Sequence, residues 1–183
     1  MAESPSRSQL FLKMKSSYLS RKDSRSFAFE VINNPASIEE LMDYFFSDDL
    51  RICQMASFPI ITIADHQIKL LLPFLKRMII GYKTAPHVAF KRNVLRTLQF
   101  VDIPEDLEGI VYDLCLEEFC NLKSPTAIRV FGLTVMCNIC IKHPELSQEL
   151  LPILTDFENT GTLGFENRLR KEIKRVSSLT TEH

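Results

Sequence analysis

The chain has 183 residues, enough for one domain with a sizeable core, and its 45% hydrophobic and 25% charged side chains are ordinary for a globular protein. A formal net charge of −1 argues against a uniformly basic nucleic-acid binder. No apolar run approaches the roughly 20 residues of a membrane span, and the N-terminal stretch MAESPSRSQLFLKMKSS lacks the long apolar core of a signal peptide.

Residues 1–8 are small and polar and are expected to be disordered, with a short helix expected over Gln9–Leu19. Together 1–23 form a basic N-terminal segment. Phe27, Phe29 and Val31 predict a helix over Ser24–Ile32, ended by Asn33-Asn34-Pro35. Ser37-Ile38-Glu39-Glu40 has the form of a capping box, with Leu41, Tyr44 and Phe45 turned inward behind it. Ser47, Asp48 and Asp49 open the next helix, Leu50 to about Ala64, because carboxylates favour a helix N-terminus. Pro59 inside it predicts a kink. Gln67–Ile80 is its expected partner, stopped by Gly81.

The stretch Lys91–Leu116 organises the rest. Phe90, Val94, Leu98 and Val101 recur at helical spacing on one face, and Arg92, Arg96 and Gln99 on another. Asp102 with Glu105 and Pro104 reads as a cap, followed by a helix with Leu107, Ile110, Val111, Leu114 and Phe119 inward. So short a corner predicts an antiparallel pair that needs neighbours to bury its apolar faces. Ser124-Pro125 then reads as N-cap and N1 of a very apolar helix, Ala127–Ile141. Leu146, Leu150, Ile153, Leu154 and Phe157 mark its partner. After the break at Asn159-Thr160-Gly161, Phe165, Leu169, Ile173 and Val176 mark a terminal helix, with a loose tail expected over 177–183.

These helices repeat. Arg51, Arg92, Arg129 and Arg168 each stand near the start of an apolar helical run, 41, 37 and 39 residues apart. Leu72-Pro73-Phe74-Leu75 and Leu151-Pro152-Ile153-Leu154 are near-copies 79 residues apart. With a period of roughly 40 residues built from helix pairs, residues 24–176 resemble the HEAT/armadillo class of helical repeats, and within it a group of short bacterial HEAT-like proteins. The resemblance implies an all-α fold: a right-handed α-α superhelix, a HEAT/ARM-like solenoid of about four helix pairs with a terminal helix.

Three constellations bear on chemistry. Cys137-x-x-Cys140-x-x-His143 has a metal-like spacing but lacks a second ligand pair, so no metal site is expected. The five cysteines follow no disulfide pattern and suit free thiols in a reducing cytoplasm. The acidic clusters around Glu105, Asp106 and Glu108, and around Asp113, Glu117 and Glu118, read as a solvated helix face rather than acid–base pairs. Neither a phosphate loop nor a dinucleotide fingerprint occurs, and no cofactor is expected. The feature most suited to binding is a basic-polar ladder, Arg51, Lys91, Arg92, Arg96, Gln99 and Arg129. Its competing reading pairs each arginine with an acid of the adjacent repeat, such as Asp48, Asp49, Glu105 or Asp106.

Charge is unevenly spread. Residues 1–25 carry net +4, 168–183 net +3, and 26–167 net −8. The best-supported expectation is a non-catalytic, cytoplasmic scaffold or adaptor that binds a protein through its helical surface. The alternative is a nucleic-acid-binding protein, since the resemblance extends to HEAT-like alkylpurine DNA glycosylases; the acidic middle and absent tryptophan count against it. Some phycobilin lyases are also HEAT-like, but no residues here suggest their chemistry.

Overall fold

The computed structural model describes residues 21–85 and 87–180. The expectations for 1–8 and Gln9–Leu19, and for the last three residues, lie outside them. The described residues form nine α-helices and no strand. In chain order they are α1 Arg21–Asn33, α2 Ile38–Phe45, α3 Leu50–His66, α4 Leu75–Thr84, α5 Val88–Leu98, α6 Glu105–Cys120, α7 Thr126–Lys142, α8 Leu146–Asp156 and α9 Leu163–Thr180. None is long and apolar enough to cross a membrane. The last helix runs on through Ser177–Thr180, residues expected to begin a loose tail.

The chain divides into two compact units, Met1–Val101 and Asp102–His183. The division falls inside the stretch read as one helix pair. Each of its helices turns its apolar face to a helix of its own unit: α5 packs on α3, and α6 on α7. Periodicity identified the faces, but it carries no information about which helix covers them.

In the first unit α3 is central, with α1, α2 and α5 packed on it. Its buried face holds Cys53, Ala56, Ser57, Ile60, Ile63 and Ala64. The spacing is helical, and the helix continues through buried Pro59. Asp49 caps it, accepting hydrogen bonds from the amides of Arg51 (2.8 Å) and Ile52 (3.2 Å). Phe45 and Phe90 stack at 4.6 Å beneath α2 and α5.

In the second unit α7 is central, packed on α6 and α9, and it is buried on most sides as its sequence predicts. Gly132 of α7 stands against Cys115 of α6, where a Cβ would lie 3.4 Å from the Cys115 carbonyl, at van der Waals contact.

Several expectations at helix ends are corrected. Ser37 has helical φ and ψ and makes no cap hydrogen bond, because the 3-10 turn Pro35–Ser37 runs directly into α2. Asp102 does not cap α6; it pairs with Lys142, and Pro104 takes the N-cap position. Ser124 does not cap α7; its hydroxyl donates to Glu118, and Pro125 precedes the helix. A side-chain oxygen goes to the strongest donor or acceptor that folding brings near, and local spacing cannot reveal a charged one far along the chain.

The partner of α3 begins later than predicted, after two 3-10 turns over Ile68–Leu70 and Leu72–Phe74. It runs through Gly81 to Thr84, since no described glycine adopts the positive φ of a terminating cap. The second Leu-Pro copy behaves differently, with Pro152 inside α8. Ile110, expected inward, is 51% exposed. Phe157 caps the end of α8, Asn159 takes a positive φ (63°) in the turn that follows, and Glu166 accepts the amides of Asn159 (2.9 Å) and Gly161 (2.8 Å) across that turn. Those two bonds hold the Glu166 carboxyl below its ordinary range.

Candidate binding cleft in the first unit

One face of α3 is neither core nor bare surface. Phe58, Ile61, Thr62 and Asp65 follow the i, i+3, i+4, i+7 spacing that puts them on one stripe. Arg92 and Arg96, one turn apart on α5, stand beside it, and Ser24 and Arg25 of α1 face it. Together with His66 they line a cleft of about 820 Å³. Its volume is that of a site for a drug-sized ligand or a few side chains.

The cleft has a fixed half and an open half. The Arg96 guanidinium donates to both carboxylate oxygens of Asp65, at 3.2 and 3.1 Å, with the two side chains about a third exposed. This pair joins the last turns of α3 and α5. Arg92 forms no ion pair with the described residues, and its guanidinium remains available to the cleft. The cleft also offers apolar surface, with Phe58 49% exposed in its wall; Phe29, beside the cleft residues His66 and Arg25, is 37% exposed. Phe29 lies 5.2 Å from the His66 ring, and the Arg25 guanidinium sits 5.9 Å over Phe29.

The six ladder residues therefore have separate fates. Arg92 and Arg96 meet in the cleft. Lys91, on the same helix, lies 5.1 Å over the Tyr82 ring, and Gln99 donates to the Arg96 carbonyl at 3.3 Å. Arg51 is exposed in the first turn of α3, at the other end of that helix from the cleft. Arg129 is in the second unit and only 7% exposed. It donates through Nε to the Phe119 carbonyl (2.8 Å) and lies 4.5 Å over Phe165, 5.2 Å over Phe157 and 5.6 Å over Phe119. Burial holds its pKa below the usual arginine value, while Cys120 pulls it back up. The acid partners expected for the arginines are not the ones found: Arg96 takes Asp65, and Arg129 takes aromatic faces and a carbonyl. Arg25, Phe58, Asp65 and His66 are cleft residues that sequence reasoning missed. The stripe on α3 was the signal for Phe58 and Asp65.

The metal-like spacing of Cys137, Cys140 and His143 does not assemble a site. Both cysteines are buried in α7, and burial pushes their thiols up, that of Cys140 to about 11. His143 instead places Nε2 2.7 Å from Glu108, whose carboxylate also accepts Lys142 at 2.6 Å. Those two bonds, Lys142's first, hold the buried Glu108 below the ordinary carboxylate range. Among the described residues no group of three or more His, Cys, Asp or Glu is placed to hold a metal ion. Glu108, expected on a solvated acidic face, is thus a structural clip between α6 and the end of α7.

The HEAT repeat domain family matches the chain over residues 11–175. No curated protein and no solved structure matches it.

Proposed function

The chain belongs to the HEAT repeat family, and from that premise we infer that it is a non-catalytic scaffold or adaptor that binds a partner protein through its helical surface. The observation that carries this reading is the cleft on α1, α3 and α5, which joins an available arginine to exposed phenylalanine. Protein interfaces concentrate their binding energy in such arginine and aromatic anchors. The binding residues are Arg92 and Phe58, flanked by Arg25 and positioned by the Asp65–Arg96 pair. Of the six ladder residues, Arg92 is the one assigned to direct contact. Five free cysteines, four of them buried, support a reducing compartment such as the cytoplasm.

Affinity purification of the tagged full chain from its native cells, in parallel with and without nuclease, tests this reading. The expected result is a protein that copurifies with the wild type and is lost with Arg92→Glu. Recovery of nucleic acid alone, or of nothing that the variant loses, overturns it.

A further inference from the structure

We propose that the cleft takes a short acidic segment of the partner protein, with a carboxylate on Arg92 and a neighbouring aromatic or branched apolar side chain on Phe58. The proposal rests on the protein-binding reading above and adds the chemistry of the bound segment. Three observations support it.

The first is charge. Arg25, Arg92 and Arg96 line the cleft against a single acid, Asp65. The described part of the first unit, residues 21–101, carries 11 basic and 8 acidic side chains, net +3. An anionic group is what this lining attracts, and a guanidinium with no ion pair can hold a carboxylate through two parallel hydrogen bonds.

The second is the placement of Asp65. Its carboxylate sits in the cleft and binds Arg96 through both oxygens. That leaves Arg92 as the open anion position on α5. A lone carboxylate can take it and stay clear of Asp65. A polynucleotide brings a phosphate with every nucleotide, and its charges would meet Asp65. The geometry therefore favours a peptide over a nucleic acid.

The third is apolar surface. Phe58 is 49% exposed on the same stripe as Ile61, two helical turns from Asp65. Covering such a ring releases water, and an aromatic or branched side chain does so most effectively. A segment with an acid next to an apolar residue satisfies Arg92 and Phe58 together, whereas a run of acids leaves Phe58 wet.

A random linear peptide library displayed on phage, panned on the full-length protein at physiological salt, is the test. Enriched peptides are then titrated by fluorescence anisotropy against the wild type, Arg92→Glu and Phe58→Ala, with oligothymidine as competitor. The expected result is enrichment of sequences in which Asp or Glu adjoins Phe, Tyr, Leu or Ile. Their affinity should fall at least about tenfold in Arg92→Glu, the loss expected for a hydrogen bond to a charged group. It should fall severalfold in Phe58→Ala, and oligothymidine should not compete. Peptides that bind without an acidic bias, or that bind Arg92→Glu equally well, overturn the proposal while leaving protein binding standing. Efficient competition by oligothymidine assigns the cleft to nucleic acid and overturns it too. Failure of any peptide to enrich overturns it, and if the native cell also yields no protein partner the reading beneath it falls as well.

Discussion

Both units set arginine against phenylalanine, with opposite results. In Asp102–His183, Arg129 lies against Phe119, Phe157 and Phe165 and is buried. In Met1–Val101, Arg25 lies over Phe29 and Arg92 stands in a cleft walled by Phe58, with both rings exposed. The wider charges differ as well: residues 102–183 carry 8 basic and 14 acidic side chains, net −6, against net +3 for residues 21–101. The acidic middle seen in the sequence averages over a basic unit and an acidic one. The same side-chain chemistry holds a core together when a carbonyl and three rings take up the guanidinium, and forms a surface for a ligand when they do not.

That contrast can be broken most directly at the buried cluster. Phe119→Ala should lower stability in urea denaturation by about 3–5 kcal/mol, since it leaves a cavity under a fully buried ring. Arg129→Met should cost roughly 2 kcal/mol, as the lost ring contacts and carbonyl bond are partly offset by relief of a desolvated charge. A neutral outcome would mean that the ring contacts and the carbonyl bond do no more than balance the cost of burying the charge.

The Glu108 clip sharpens the comparison through pH. Its folded pKa lies below the ordinary value, so its stabilisation is complete above the ordinary carboxylate range. That stabilisation is lost as pH falls through that range to the lower folded value. Glu108→Gln should therefore cost about 1–2 kcal/mol near neutrality and flatten the acid limb of a stability–pH profile. An unchanged acid limb would remove Glu108 as the source.

Effects on stability should be smallest at the cleft. Arg92→Glu should stay within about 0.5 kcal/mol of the wild type while losing peptide binding. If it unfolds the protein, Arg92 is structural, as Arg129 is. Asp65→Asn breaks a partly exposed ion pair worth about 0.5 kcal/mol, and by freeing Arg96 it should raise affinity for an acidic peptide. A fall in affinity would show that the pair's main role is to hold the cleft in shape.

The sequence by itself determined the helical class, the HEAT-like character and most helix positions, because apolar spacing is a local property that survives any arrangement of neighbours. Leu50–His66 was legible almost to its ends, and its opening was legible as Ser47, Asp48 and Asp49 together, of which Asp49 is the cap, with donors two and three residues away. The pair Arg92 and Arg96 was legible as one basic face. The partners of these residues were not, because contacts between distant residues arise only when helices pack. Asp102 meets Lys142, Glu108 meets His143, and Asp65 meets Arg96 across such distances. The arginine period placed Arg92 and Arg129 at equivalent positions 37 residues apart. Only packing decided that one would face a cleft and the other be enclosed by three rings, because burial depends on which helix covers a face, and spacing along a chain does not record that.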